Sequence, residues 1–336
     1  MAPADYDGDG DTDLFVGSRS VPGAYGERPA SRLLENDGTG SFTDVTEQKA
    51  PALLSAGMVT GCVWADVTGS DAPDLVLVGE WMPITILTDS GGVLEDASLP
   101  ATGGWWTSVL AHDVDADGDI DLIAGNLGAN TTLSAPLDLI TYDFDSNGSV
   151  DPIIVEERDG RSYTWARRDP LLKQLPGWAP RLPTYASYAE ATLEDLFEPG
   201  ALAAGGRRRV DTFASVYLEN SGAGEFRRQA LPRSTQWSPV MSMLAHDLTG
   251  DGHMDVLTAG NFFGVNTVQG RYDADYGTLL VGNGEGSFTT RPMHETGLRI
   301  RGEVRAMRLM RLDGHGQAVL IARNNDAPLI LTFPFE

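Results

Sequence analysis

Apolar residues in this chain come in short runs closed at both ends by Asp or Gly. Leu14-Phe15-Val16, Leu75-Val76-Leu77-Val78, Leu122-Ile123-Ala124 and Val256-Leu257 are four of them. Others, such as Val109-Leu110-Ala111 and Met243-Leu244-Ala245, stand just ahead of an acidic stretch. Runs this short, bounded this way, predict buried strands. A second punctuation follows further on, as Asn36-x-Gly38-x-Gly40-x-Phe42, Asn220-x-Gly222-x-Gly224-x-Phe226 and Gly282-x-Gly284-x-Gly286-x-Phe288. Each copy follows a strand, for example Val216-Tyr217-Leu218 or Leu279-Leu280-Val281, and predicts a hairpin turn with an inward-facing aromatic after it. The repeating unit is therefore strand, acidic loop, strand, connection, strand, glycine turn, strand.

Several such units in one chain predict an all-β fold, a β-propeller of roughly six or seven four-stranded blades. The short gap between the acidic loops at Asp113 and Asp143 leaves the blade number open. The expected organisation is a single domain over 1–336. One segment departs from the pattern: over 167–197 apolar and aromatic residues recur at three- and four-residue spacing, most clearly in 185–197, which predicts a helical insertion. The Gly- and Arg-rich stretch 199–209 reads as a surface loop.

The acidic stretches carry the candidate chemistry. Asp5, Asp7, Asp9, Asp11 and Asp13 fill alternate positions of nine residues, and Asp113, Asp115, Asp117, Asp119 and Asp121 repeat that pattern in full. A third copy has Asp143, Asp145, Asn147, Ser149 and Asp151; a fourth has Asp247, Thr249, Asp251, His253 and Asp255. A weakened copy has Asp66, Thr68, Ser70 and Asp74, with Asp71 where the others have Gly10, Gly118, Gly148 and Gly252. A sixth place, 310–318, keeps a flanking strand but has lost the ligands. Like charge this dense leaves a loop solvated and disordered unless a cation offsets it. Oxygen side chains at positions 1, 3, 5 and 9, with glycine at 6 for the tight turn and a backbone carbonyl at 7, form a hard-oxygen ligand set suited to Ca²⁺. Position 12, where an EF-hand has Glu, holds Val16, Ala124, Ile154 and Thr258, so the frame is strand–loop–strand. The four intact loops predict about four ions. The competing reading is a set of solvated acidic turns.

The net charge is −24, and hydrophobic residues make up 41%, enough for a sizeable core. Five filled loops would leave roughly −14. This acidity argues against nucleic acid and anionic membranes as partners, and no stretch is apolar and long enough for direct membrane insertion. The lone cysteine, Cys62, excludes an intrachain disulfide and reads as a small buried hydrophobe. No signal segment precedes Asp5. Common hydrolase and phosphate-binding motifs are missing, and His112 and His246, each just ahead of an acidic loop, read as structural hydrogen-bonding groups.

The Asp-x-Asp-x-Asp-Gly-x-x-Asp pattern between strands resembles the FG-GAP/VCBS repeat of integrin α-chain propellers. Segments such as GWWTSVLAHDVDADGDIDLIAGNLGAN (104–130), YDFDSNGSVDPI (142–153), RDPLLKQLP (168–176) and LTAGNFFGVNTVQGRYDADYG (257–277) extend the likeness to the VCBS-repeat proteins of Bacteroidota, in the cartilage acidic protein and ASPIC/UnbV-associated group. The resemblance runs from Asp5 to about Pro328. It implies a calcium-stabilised propeller at the cell surface, in the periplasm or outside the cell. The strand expected ahead of Asp5 is missing from this reading, which suits the C-terminal part of a longer protein.

A recognition face is expected opposite the acidic loops, where the connections leaving each second strand gather. The candidates there are Arg19, Glu80, Trp81, Asn126, Asn261, Arg323 and Asn324, joined by Trp105, Trp106 and Trp237 from the segments entering first strands. Amides and aromatics together suit a glycan or protein ligand. The plain alternative is that these tryptophans pack between blades and the Asn side chains cap turns. The expected function is a non-catalytic recognition or adhesion module. The alternative is a polysaccharide-active enzyme, or its accessory module, on a propeller scaffold.

Overall fold

The computed structural model describes residues 1–222, 224–265, 269–313 and 316–333. The sixth loop position of the sequence reading, around Gly314 and His315, lies partly outside them. The fold is all-β, built of antiparallel sheets whose strands follow the predicted unit.

The first sheet runs β1 (Ala2–Ala4), β2 (Asp13–Val16), β3 (Arg32–Asn36), β4 (Phe42–Asp44) in chain order. β1 corrects the sequence reading: a strand does precede Asp5, pairing Ala2 with Phe15 and Ala4 with Asp13. Its three residues carry too little apolar pattern to announce themselves. The second sheet is β5 (Met58–Ala65), β6 (Asp74–Met82), β7 (Thr85–Asp89), β8 (Leu94–Asp96).

The third opens with β9 (Gly104–His112), whose first residues also pair with β6 and so join it to the second in one eight-stranded sheet, and with β10 (Asp121–Asn126), and then the chain leaves it. A separate sheet is laid down first, from β11 (Leu137–Tyr142), β12 (Asp151–Arg158), β13 (Arg161–Thr164) and β14 (Gly206–Val210). Only afterwards do β15 (Val216–Asn220) and β16 (Phe226–Ala230) complete the third sheet, β15 pairing with β10. This nesting explains the short interval between the Asp113 and Asp143 loops. Its strand order, β13-β12-β11-β14, also differs from the others, because β14 returns to the free edge of β11. β17 (Val240–His246), β18 (Asp255–Gly260), β19 (Thr278–Gly282) and β20 (Phe288–Thr290) follow, and then the three-stranded β21 (Glu303–Leu312), β22 (Gly316–Asn324), β23 (Leu329–Thr332).

The continuous apolar runs are the second strands. Every residue of β6, β10 and β18 is buried, as expected of strands covered on both faces. Sheets stack face to face in chain order. Phe15 and Leu33 pack on Leu75, Leu77 and Leu87; Val76 and Ile86 on Leu122 and Leu218; Ile123 and Tyr217 on Val256 and Leu280; Leu257 and Leu279 on Met307 and Val319. Gly260 closes β18 where a Cβ would lie 1.6 Å from the Pro239 carbonyl oxygen, beside the bulge in β17. Glycine is required there by space alone. Of the three predicted inward aromatics, Phe226 and Phe288 are partly buried on core clusters, whereas Phe42 is 44% exposed.

The helical insertion is a series of short turns. Helices span Arg168–Gln174, Tyr185–Glu190, Leu193–Leu196 and Pro199–Ala204. The 185–197 pattern breaks at Thr192, whose hydroxyl caps the next turn by accepting the Asp195 amide. Leu171, Leu175, Leu193 and Phe197 cover Ile140, Ile153 and Val155 of the nested sheet. The stretch 199–209 is corrected from loop to helix and strand: Arg207 and Arg209 of β14 flank Asp138 of β11, with Arg207 Nη2 at 2.6 Å. A partner 69 residues away in the chain supplies that order, and local reading has no access to it.

Candidate functional site

Each acidic loop joins a first strand to a second, and one hydrogen-bonding scheme shapes all of them. The carboxylate at position 1 accepts amides from across the turn. Asp5 takes Gly8 and Gly10 at 2.9 and 3.0 Å, Asp143 takes Asn147 and Gly148 at 3.0 and 2.9 Å, and Asp247 takes Gly250 and Gly252 at 2.7 and 3.0 Å. Asp113 accepts from Gly118 at 3.2 Å. Position 5 accepts the amide of position 7: Asp9 from Asp11, Asp117 from Asp119, Asn147 from Ser149 and Asp251 from His253. The position 6 glycines all have positive φ. In the weakened copy Asp71 adopts the same left-handed conformation, at φ 64°, despite its Cβ.

Position 9 is the buried end of the loop and the first residue of the second strand. Asp13, Asp121, Asp151 and Asp255 are at most 5% exposed. Asp121 accepts the Val114 amide at 3.0 Å, the Asn220 amide at 2.8 Å and the Tyr217 hydroxyl at 2.9 Å. Asp255 likewise takes Leu248 and Gly282, and Asp13 takes Asn36. This carboxylate thus ties the loop to the end of the third strand, a second role that motif spacing does not announce. Burial pushes the acid range of all four upward, because desolvation disfavours the charged form.

The carboxylates at positions 1, 3 and 9 converge. Asp5, Asp7 and Asp13 form one group, Asp113, Asp115 and Asp121 a second, Asp143, Asp145 and Asp151 a third, each with ligand atoms within 4.8 Å of one another. Among the described residues, Asp113 Oδ1 and Asp115 Oδ1 are buried with no hydrogen-bond partner. Desolvation, then the charges of Asp121 and Asp117, push Asp115 up to about 6. Unpartnered, mutually repelling oxygens converging on one point suit a hard divalent cation, so these residues fit Ca²⁺. Such an ion would supply positive charge at that point. Thr249 replaces the second carboxylate in the fourth loop, and its amide donates to Asp255 at 2.8 Å.

The weakened loop is different. Asp66 accepts Ser70 and Asp71 amides at 2.9 and 2.8 Å; Thr68 donates its hydroxyl to Asp74 at 3.0 Å; Ser70 Oγ bonds Ala72. Its Asp66, Thr68, Ser70 and Asp74 side chains are spent on the loop itself. Beside the other loops, the expected histidine contacts are present: His112 Nδ1 lies 2.9 Å from the Asp113 carbonyl oxygen, and His246 meets Gln317.

At the far ends of the second strands is a cavity of about 710 Å³. Tyr25, Glu80, Trp105, Trp165, Phe262 and Tyr272 line it, with Arg19 and Arg305. Glu80, Trp105 and Arg305 come from β6, β9 and β21, and the others from connections between strands, so the lining meets only in three dimensions. Asp74 and Glu80 are six residue steps apart along β6, about 20 Å of extended strand.

Three candidates for the recognition face thus line the cavity: Arg19, Glu80 and Trp105. Several others are corrected to structural roles. Trp106 is fully buried and its indole donates to the Thr102 carbonyl at 2.9 Å. Asn126 is 0% exposed, its amide spent on the Thr212 carbonyl and the Trp105 and Leu127 amides. Asn261, 2% exposed, ties Ser238, Asp275 and Gly302 together. Trp81 is buried behind the cavity wall, Arg323 bonds the Arg301 and Ala327 carbonyls, and Asn324 bonds Glu303. Trp237 is 48% exposed but is not part of the cavity lining. Sequence reasoning missed Tyr25, Trp165 and Tyr272, which lie in connections between strands, and Arg305 near the start of β21.

Residues 5–77 match the family of FG-GAP-like repeats. No curated protein matches the chain. Among solved structures, the Vibrio cholerae biofilm matrix protein Bap1 aligns at 10% identity over 99% of this chain and 77% of its own, with a TM-score of 0.33. An Agrocybe aegerita lectin, described for specific recognition of non-reducing terminal N-acetylglucosamine, aligns at 14% identity over 96% and 91%, TM-score 0.21. BBS1N, crystallised with ARL6DN, aligns at 12% identity over 99% and 91%, TM-score 0.25. Scores this low leave the strand pairings to carry the fold. The stretch 5–77, which spans the first acidic loop and the weakened one, is thus similar to FG-GAP-like repeats.

Proposed function

We propose that this chain is a calcium-stabilised recognition module of the extracellular or cell-surface kind, a single β-propeller domain over 1–336 with its helical insertion at 167–197. The acidic loops hold about four Ca²⁺ ions, and a glycan or protein ligand binds at the opposite ends of the strands. The observation that carries the metal half is the Asp113 loop, where buried carboxylate oxygens of Asp113 and Asp115 face one another without partners. FG-GAP repeats are typical of extracellular proteins, and no described helix is long and apolar enough to cross a membrane. Recognition suits the cavity better than acid catalysis, since Glu80 is held by Arg19 and by Tyr25 at 2.9 Å.

The role of the ions is mechanical. They offset charge in loops that join first to second strands, and so stiffen the sheet ends without entering the ligand site. Calcium titration by calorimetry, with metal counting on chelated and refilled protein, tests this. About four ions and a raised thermal midpoint are expected; no bound metal and no shift would leave the loops as solvated turns.

A further inference from the structure

The cavity at the far ends of the strands has features that go beyond a generic binding face. Its aromatic side chains, Tyr25, Trp105, Trp165, Phe262 and Tyr272, give it broad apolar surfaces. Its charges are cancelled in place. Arg19 Nε lies 3.0 Å from Glu80 Oε1, and Arg305 Nη2 lies 2.7 Å from Glu303 Oε1. A ligand therefore meets planar donors and acceptors whose charges are already paired with one another. An anionic ligand would find no surplus of cations, and would also approach a chain of net charge −24. A cationic one would find its carboxylates already paired.

The wall is also held rigidly. Trp81 sits at φ 58°, a conformation that bulky residues avoid, and stays there because its indole donates to the Tyr25 hydroxyl at 3.0 Å and its ring lies 5.3 Å from that of Trp105. Asn261, at φ 78° beside Phe262, is fixed by its four side-chain hydrogen bonds. Strain kept by surrounding contacts is a mark of preorganised sites.

We propose that this cavity binds the end of a neutral saccharide chain. The apolar face of a sugar ring packs on the indoles of Trp105 and Trp165, and its hydroxyls bond the Arg19–Glu80 and Arg305 groups. The volume, about 710 Å³, admits a short oligosaccharide end. This inference deepens the recognition reading and rests on it.

The test uses the calcium-loaded chain on an array of neutral and acidic oligosaccharides, with indole fluorescence as a second readout. Trp165→Ala removes one aromatic wall. Val265→Trp fills the cavity without deleting any wall, which guards against a folding failure of the first variant. Binding of neutral saccharides with a fluorescence change, lost tenfold or more in both variants at unchanged thermal midpoint, is the expected result. Saccharide binding untouched by both variants would overturn the cavity assignment while leaving the recognition reading standing. Binding confined to acidic glycans would overturn the assigned chemistry. Binding of no glycan of either kind would overturn the saccharide proposal, and a retained protein ligand would show that the recognition reading survives it.

Discussion

The Asp113 loop and the Asp66 loop share a backbone path and differ in what their side chains do. In both, the first Asp gathers amides across the turn, and the last, Asp121 or Asp74, accepts the amide of position 2. In the Asp113 loop two carboxylate oxygens are left buried and unpartnered. In the Asp66 loop Thr68 and Ser70 have replaced acids, and their hydroxyls close the loop by themselves. The frame is thus older in the physics than the ion: hydrogen bonds to positions 1 and 9 make the turn, and the acids at 3 and 5 load it with charge that an ion would neutralise. A loop can lose its ligands and still join two strands.

The sharpest way to break this comparison is at position 9. Asp121→Ala strips acceptors from Val114, Asn220 and Tyr217 in a buried site, an expected loss of about 3 kcal/mol or more. Asp74→Ala should cost a similar amount by removing the acceptor of Val67 and Thr68. Denaturant unfolding in calcium and in chelator separates them: the Asp74→Ala loss should be the same in both, and the Asp121→Ala loss greater in calcium. A calcium-dependent Asp74→Ala would erase the distinction between the loops.

Chelation comes next. At a hundredfold excess of calcium over its dissociation constant, one site adds about 2.7 kcal/mol. Asp115→Asn should remove the contribution of its loop and, without calcium, should raise stability, because it relieves repulsion with Asp121 and Asp117. Thermal midpoints with and without calcium check both signs.

Acidity should separate the loops too. The Asp115 carboxyl is pushed up to about 6 by burial and by its acidic neighbours. In the metal-free protein a raised folded value favours the protonated form, so its contribution to stability is present at low pH and is lost as pH rises through about 6. Calcium binding runs the opposite way, weakening as pH falls through that value, because the ion competes with the proton. Calorimetric titration of wild type and Asp115→Asn across this range should show the dependence in the first and a reduced one in the second.

The smallest effect is at Asp71, held at φ 64° where the other loops have glycine. Asp71→Gly should stabilise by about 1 kcal/mol without conferring calcium binding. The double variant Thr68→Asp, Asp71→Gly should gain both, read by metal counting.

The strand–loop–strand unit was legible because its signals are local: a continuous apolar run after an Asp, a glycine where φ must be positive. In three of the loops the carboxylates at positions 1, 3 and 9 lie close to one another. Less was legible where partners are distant. The strand at Gly206–Val210 depends on Asp138, and the break at Thr192 on a cap that competes with the apolar periodicity. Asn126 and Asn261 look in sequence like ligand-facing amides, and burial turned them into struts.

Sequence by itself determined the unit, its repetition and the oxygen-rich composition of its loops, because hydrogen bonds within nine residues and short apolar runs closed by Asp or Gly need no distant partner. Only the tertiary structure decided that one sheet is nested inside another, and that Tyr25, Trp105, Trp165, Phe262 and Arg305 line one cavity. Those residues lie on different strands and connections far apart in the chain, and what joins them is tertiary packing, which leaves no periodic trace along the sequence.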